Sequence, residues 1–398
     1  MHGCVEIFWE YQMSRPVSCD HVLFDECINA FRIGNDYSRS DYGSESYSYL
    51  LTPFKLTKNW DLSVCSVSQS NRVSFPGAYS AFISKVKNPK WVSSDNPHLF
   101  GIALSTIVSF VSLKDCKSTR DDYLCRHMEL TENDLMRLGI LHPILVAGPG
   151  CTITSISQAK QFRLENEVTD IISKLMSMEY EKYRLTMQSL RLIQLSLSTK
   201  RDDFGLAYLL VVSAIESVAQ KAISRNRVKE KHPKEKLWKK RANDDPCFKE
   251  VLEVYLESRG KNEYLKERFV RFLSHYAPAD KWVDYVEHPL QDLADYIQDV
   301  NPLENVEYLT GRDWFQKSPE DLTKKEIERV LSDAYIHRSC FVHRGEQPPH
   351  KDPISSSSRF FQEGIGYDGN NLRERILPNY NLLIGLARGS IFNWICNK

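Results

Sequence analysis

The sequence has no excess of charge of either sign. Its 398 residues carry 52 Lys and Arg side chains and 52 Asp and Glu side chains, so the formal net charge is zero. This balance excludes a protein whose whole surface is basic and coats nucleic acid, but it allows local basic patches. Glycine and proline are scarce, at 17 residues each. Their scarcity excludes a fibrous or low-complexity chain.

The sequence also lacks long hydrophobic segments. Its first residues show no basic region followed by an apolar stretch, so we expect no signal peptide. The longest apolar stretches, 138–150 and 204–219, are shorter than the ~20 residues of a membrane span. The ten cysteines form no Cys-x-x-Cys pair and are expected to be reduced thiols. We therefore predict a cytoplasmic protein without a membrane partner.

Several catalytic motifs are missing as well. There is no G-x-x-x-x-G-K-[ST] loop, no G-x-S-x-G elbow and no Asp-x-Asp pair. Segment 364–369 matches G-x-G-x-x-G, but too few residues follow it for a βαβ unit, so we interpret it as a glycine-rich turn. The sequence thus gives no support to hydride transfer, P-loop chemistry or serine hydrolysis. We expect no metal and no organic cofactor.

The first 155 residues contain short apolar runs separated by polar or turn-forming segments, a pattern typical of strands. The runs are 5–9, 21–24, 49–56, 62–67, 73–75 and 81–86. Segment 100–111 fits either a helix or a strand. Thr131, followed by two acidic residues, predicts the start of a short helix. We therefore predict a mixed α/β, β-rich domain over residues 1–155.

From Gln161 onward, apolar residues recur with helical spacing. We predict a helix from Gln161 that could extend to Ser198, and the capping box Thr323-x-x-Glu326 predicts another that stops at Gly345. Further helices are expected at 204–224, 247–275 and 377–396, and a polar linker before the last of them. The predicted fold class is α+β, with an all-α helical bundle over residues 156–398.

Charge is segregated within this helical half. Between Lys221 and Arg241 there are ten basic and two acidic residues, a block that could lie along a phosphate backbone. Such blocks are equally often solvated helix ends and loops. The candidate RNA-binding residues are Lys229, Lys231, Lys234, Lys236, Lys239, Lys240 and Arg241.

Two helical positions are chemically unusual. Arg338 falls on the apolar line of its predicted helix, where an always-charged guanidinium needs a partner or a function. His343 lies in the last turn, where the helix dipole favours the imidazolium form. Alternatively, Arg338 pairs with an acid across the bundle and His343 caps the helix end. Glu216 interrupts another apolar helix; it either pairs with Arg338 or Arg344, or lies on that helix's polar strip.

The segment Ala214-Ile215-Glu216-Ser217 and the later segment Tyr335-Ile336-His337-Arg338-Ser339-Cys340-Phe341-Val342-His343-Arg344-Gly345 resemble the Apea-like branch of HEPN domains. The resemblance covers roughly residues 160–398. It implies a helical bundle that pairs as a homodimer, with the two Arg-x4-His motifs at one cleft. It also implies a metal-independent endoribonuclease of a toxin or antiviral defence system.

Under this resemblance, His343 supplies acid or base catalysis and Arg338 contacts the phosphorane oxygens. Ser339 hydrogen-bonds a phosphate oxygen, and Glu216 orients Arg338. The resemblance does not extend to residues 1–155; this domain is expected to sense, restrain or target the ribonuclease, and a regulatory ligand or protein could bind it. The alternative function is a non-catalytic HEPN module that binds RNA or a protein partner.

Overall fold

Two long antiparallel strands organise the N-terminal part of the computed structural model. That model describes residues 20–32, 45–73, 81–92, 96–120, 124–125, 129–144, 154–228, 232–310, 318–345, 360–368 and 371–396. Strand β1 (Tyr47–Thr52) pairs with β5 (Ala81–Lys87), so that Tyr47 lies opposite Lys87. Four short strands complete the sheet: β2 (Trp60–Asp61), β3 (Ser66–Val67), β4 (Asn71–Val73) and β6 (Lys117–Ser118).

Both faces of this sheet are covered. Side chains alternate along a strand, so Leu50 and Leu51 point to opposite faces, and both are fully buried. Leu50 joins the main hydrophobic core, whereas Leu51 packs in a smaller cluster with Ile83 and Leu138. Leu138 lies on helix α3 (Glu132–Leu141), which Thr131 caps as predicted. The strand predicted at 81–86 is confirmed, the one predicted at 49–56 is confirmed for 49–52, and run 5–9 lies outside the described residues.

Two further N-terminal segments are helical. Run 21–24, predicted as a strand, belongs to helix α1 (Asp20–Cys27); this prediction was wrong because Phe24, Cys27 and Ile28 bury one helical face. The ambiguous run 100–111 forms helix α2 (His98–Ser112). Residues 98–111 of α2 are all buried, because the sheet and the C-terminal helices enclose the helix. A helix buried all round has no polar stripe, so its hydrophobic pattern could not distinguish it from a strand.

The C-terminal half is mainly helical, which confirms the predicted α+β class. Its first long helices are α4 (Gln158–Ser177), α5 (Tyr180–Thr199) and α6 (Phe204–Ala222). They are followed by α7 (Arg225–Val228), α8 (Glu235–Asp244), α9 (Pro246–Lys261), α10 (Leu265–Tyr276), α11 (Gln291–Val300) and α12 (Glu307–Thr310). Helix α13 (Lys324–Arg344) and helix α14 (Tyr380–Ile395) lie nearer the C-terminus, and 3₁₀ turns occur at Ala279–Tyr285 and Pro319–Asp321.

Two of the predicted helices are each divided in two. The helix predicted from Gln161 to Ser198 is interrupted at Met178, whose backbone is extended (φ −74°, ψ 149°). The helix predicted over 247–275 is interrupted before Tyr264, which has a left-handed backbone (φ 51°). Neither interruption contains glycine or proline, the usual sequence signals of a helix end.

A β-hairpin replaces part of the predicted polar linker. Strands β7 (Phe361–Asp368) and β8 (Asn371–Pro378) pair antiparallel, and β8 packs against α13. The glycine-rich turn predicted at 364–369 was therefore wrong for 364–368, which lie within strand β7. The helical half is consequently not all-α.

One hydrophobic core joins the N-terminal sheet, α2 and the C-terminal helices. Its buried members include Leu50, Phe100, Val168, Val211, Phe272, Leu331 and Leu386. Helix α6, long and apolar enough to cross a membrane, has buried side chains within this core, as a core helix of a soluble protein would. The two parts of the chain share this core. The division into domains 1–155 and 156–398 stays a prediction.

A buried ionic network ties helices α4 and α11 to the end of α2. Lys160 pairs with Asp292, and Lys114 reaches the same carboxylate at 3.1 Å. Lys160 also contacts Glu287 at 2.6 Å. Burial alone would raise the pKa of Asp292, but the charges of Lys114 and Lys160 outweigh burial and lower it. The network is thus electrostatically satisfied although Lys160 and Asp292 are almost inaccessible to water.

Candidate functional site

An ion pair between neighbouring helices forms the centre of the site. Glu216 on α6 and Arg338 on α13 approach with a distance of 3.3 Å from Oε2 to the guanidinium. The Glu216 side chain is only 8% exposed and that of Arg338 is 25% exposed. The other Glu216 oxygen accepts a hydrogen bond from Gln220 at 3.2 Å. Glu216 therefore combines both expected arrangements: it pairs with Arg338, and it contacts a polar residue one turn along its own helix.

Tyr335 completes this group. It lies three residues before Arg338 on α13, and the Arg338 Cζ atom is 5.9 Å from its ring centroid. Burial raises the pKa of the Tyr335 phenol, and the nearby negative charge of Glu216 raises it further. The ring of Phe269 on α10 packs against the Tyr335 ring, with ring centroids 5.5 Å apart. Tyr335 was not among the predicted site residues, although its spacing from Arg338 places both on one helical face.

The Arg338 guanidinium has hydrogen-bonding capacity left. Its Nε atom is buried and has no hydrogen-bond partner among the described residues. The contact with Glu216 uses one terminal nitrogen, and a quarter of the side chain is open to solvent. A phosphate oxygen that approached the open side would meet planar, always-charged donors already fixed by Glu216.

His343 lies apart from this group. It is exposed in the last turn of α13 and makes no hydrogen bond or ion pair within the described part of the chain. Five helical residues correspond to ~7.5 Å along the axis and a rotation of about 140°. Arg338 and His343 therefore occupy different faces of α13, and one chain does not bring their side chains into contact. Ser339 is half-buried beside Arg338.

The local sequence explains where α13 begins and where it ends. The Thr323 hydroxyl accepts from the Glu326 amide, and the Glu326 carboxylate accepts from the Thr323 amide at 2.8 Å, forming the predicted capping box. At the other end, Gly345 takes a left-handed conformation with φ of 67°. Both ends of the helix that carries Arg338 and His343 are thus fixed by residues visible in the sequence.

The basic block lies away from this group. Lys229 and Lys231 fall outside the described residues. Lys234 precedes helix α8, on which the remaining candidates are exposed: Lys236, Lys239, Lys240 and Arg241. Two of them already have partners, since Lys239 pairs with Glu235 at 2.9 Å and the Arg241 guanidinium lies 5.0 Å from the Phe248 ring centroid. Helix α8 packs mainly on α9 rather than on α13, so the block does not adjoin Arg338.

The chemistry available at the site is that of a cation, a carboxylate, a phenol and a separate imidazole. Within the described ranges, no group of three or more His, Cys, Asp or Glu side chains could hold a metal ion. Comparisons with protein-family models, curated proteins and solved structures returned no match to this chain.

Proposed function

We propose that this protein is a metal-independent endoribonuclease of the HEPN type, acting as a cytoplasmic homodimer in a toxin or antiviral defence system. The observation that carries the proposal is the ion pair between Glu216 on α6 and Arg338 on α13. His343 is exposed on α13, the helix that also carries Arg338. Burial and the carboxylate fix the guanidinium before any substrate arrives, and a preorganised cation is what a developing phosphorane requires.

The reaction needs three functions. A base takes the proton of the ribose 2′-hydroxyl, and the 2′-oxygen then attacks phosphorus. The bond from phosphorus to the 5′-oxygen breaks, and an acid protonates that leaving oxygen. His343 acts as the acid or the base, a role that typically raises the reaction rate ~10²–10⁴-fold. Arg338 stabilises the phosphorane, Ser339 donates to a phosphate oxygen, and Glu216 positions Arg338.

A homodimer supplies what one chain lacks. One chain has a single His343, and that residue faces away from Arg338 by about 140° around the helix. Pairing two copies near the end of α13 would bring a second histidine and a second arginine to one cleft. Val342, half exposed beside His343, offers apolar surface for such pairing. Light scattering should accordingly give the mass of two chains, and specific activity should fall when dilution dissociates the dimer.

A cleavage assay tests the enzyme assignment. Wild-type protein, Arg338→Ala and His343→Ala would be incubated with mixed RNA in excess EDTA. We expect cleavage by the wild type and a loss of ~10²-fold or more in each variant. Arg184→Ala, which removes an exposed cation from α5, is the matched control and should cleave normally. Equal cleavage by all four proteins, or none by the wild type at high concentration, would refute the assignment.

His343→Ala is the more decisive variant. His343 is exposed and makes no hydrogen bond or ion pair with the residues that the structure describes, so its loss should not disturb folding. Arg338→Ala leaves the buried Glu216 without its cation, and its loss of activity could arise from misfolding. Glu216→Gln keeps the shape and the contact with Gln220, and should lower kcat with little change in KM if Glu216 is a positioning residue.

A second function is favoured by one observation. In a single chain Arg338 contacts Glu216 and lies on a different face from His343, which suits a structural ion pair as well as a catalytic one. The corresponding candidate is a non-catalytic HEPN module that binds RNA or a protein partner. Retained RNA binding without cleavage by any preparation in the same assay would favour it.

A further inference from the structure

An open groove lies beside the first half of α13. Its volume is about 670 Å³, and helices α7 and α10, the 3₁₀ turn Ala279–Tyr285 and α13 form its walls. Its lining includes the apolar side chains of Val228, Val270 and Ile327. Trp282 is buried in the wall, where its indole donates to the Ala277 carbonyl at 2.8 Å. The 3₁₀ turn therefore provides a fixed side to the groove.

The rim of the groove carries unpaired cations from three different helices. Arg227 on α7, Arg271 on α10 and Lys324 on α13 are exposed, and none has an acidic partner in the parts of the chain described. A fourth cation, Lys266, only approaches Glu267 at 3.9 Å. Four cations line the groove against two carboxylates, those of Glu267 and Glu328, so its net positive charge and its apolar side chains suit a ligand that carries negative charges and apolar surface.

The groove leads to the Arg338 group. Ile327 lines it, and Arg338 follows eleven residues later, ~16.5 Å along the same helix and within about 20° of the same face. Glu267, which also lines it, adds to the raised pKa of Tyr335 after burial and Glu216. Phe269 on α10 packs on Tyr335, so the helix that forms one wall also supports the site. A polymer lying in the groove would reach Arg338 at the end of it.

We infer that this groove binds the sugar–phosphate backbone of single-stranded RNA, with Arg227, Arg271 and Lys324 contacting phosphates. The inference rests on the proposed ribonuclease function, because it treats the groove as the approach to the Arg338 site. Cations along a rim with apolar surface between them match the general design of single-strand binding surfaces. This site differs from the one expected on α8, which packs mainly on α9 and whose cations Lys239 and Arg241 already have partners.

Binding can be measured without cleavage in a His343→Ala background. The probe is a fluorescein-labelled twelve-nucleotide polyuridine RNA, followed by fluorescence anisotropy at several salt concentrations. The groove variant is Arg227→Gln/Arg271→Gln/Lys324→Gln. The matched control is Lys55→Gln/Lys90→Gln/Lys174→Gln, which removes three exposed cations elsewhere on the protein. A third variant, Lys234→Gln/Lys236→Gln/Lys240→Gln, tests the block on and before α8.

The groove variant should bind at least roughly tenfold more weakly at 100 mM salt. Its slope of log K against log salt should shrink by about 2, since three phosphate contacts on a single strand contribute ~0.7 each. The control should stay within about twofold of the parent. Unchanged binding by the groove variant, or a larger loss in the α8 variant, would overturn the inference. Binding of polyglutamate instead of RNA would also overturn it and indicate an acidic protein partner.

Crosslinking gives a second measurement that does not depend on the variants folding. A 4-thiouridine version of the probe should crosslink to peptides that contain 265–276 or 324–332. Adducts confined to 235–244 would contradict the groove. The two proposals can fail separately. RNA binding that depends on the groove, without cleavage by the wild type, would refute only the ribonuclease function. Cleavage by the wild type, with RNA binding that does not depend on the groove, would refute only the groove as the binding site.

Discussion

Gly385 provides a stability test that follows directly from packing. It lies inside helix α14, where an alanine would ordinarily gain ~1 kcal/mol of helix propensity. A Cβ atom at this position would lie 2.5 Å from the Tyr285 carbonyl oxygen and 3.0 Å from the Tyr285 Cβ. Carbon contacts are optimal at ~3.5–4.0 Å, so the backbone of the 3₁₀ turn or of α14 must move.

The magnitude follows from these two opposing contributions. Overpacking in a well-packed core costs ~1–3 kcal/mol, and the upper end applies because the atom that is met belongs to the backbone. Subtracting the propensity gain leaves Gly385→Ala destabilised by about 2 kcal/mol. Gly260→Ala is the matched control, because a Cβ there meets nothing within 4 Å and the residue lies near the end of α9. That substitution should stabilise by about 0.5 kcal/mol.

Urea denaturation of both variants, with fluorescence and circular dichroism as probes, measures the difference. We expect the unfolding midpoint to fall for Gly385→Ala and to rise slightly for Gly260→Ala. The unfolding midpoint of Gly389→Ala should lie between those of the other two variants. Its Cβ would meet the Tyr285 ring at 2.7 Å, and a ring can rotate away. If Gly385→Ala were as stable as Gly260→Ala, the close approach of α14 to the 3₁₀ turn would be refuted.

Two further predictions concern an ionic network and a helix cap. Lys160→Met should destabilise by about 2–3 kcal/mol at neutral pH, below the ~3–5 of an isolated buried pair because Lys114 still contacts Asp292. The folded pKa of Asp292 is lowered, so its ionic stabilisation is fully present above the ordinary pKa of 3.8 and is lost as the pH falls through the lowered pKa. The difference in unfolding free energy between Lys160→Met and the wild type should therefore narrow in acid. A difference that stays constant in denaturation experiments at several pH values would contradict this. Thr323→Ala removes the cap of α13, worth ~1 kcal/mol, so the amides of the first turn of α13 should exchange hydrogen about fivefold faster. Thr323→Ser keeps the hydroxyl and should exchange nearly as the wild type does. Equal exchange rates in Thr323→Ala and the wild type would refute the contribution of the cap.

Local signals predicted the helix that carries the candidate site. The capping box at Thr323 and the glycine at 345 define α13 because each satisfies backbone groups within a few residues. The chemical types at Arg338 and Glu216 were also informative, since charges in apolar helices require partners. The pairing itself could not be derived, because several acids and bases were available and only the packing of α6 on α13 selected this one.

The sequence by itself determined the α+β class, the two long strands, the ends of α13 and the residue types of the site. These features depend on periodicity and on contacts within a few residues. Only the tertiary structure decided that segment 100–111 is a helix enclosed on all sides and that Glu216 is the carboxylate that meets Arg338. It also decided that Arg227, Arg271 and Lys324 meet at one groove. Each of these depends on contacts between segments far apart in the chain, which local sequence patterns do not encode.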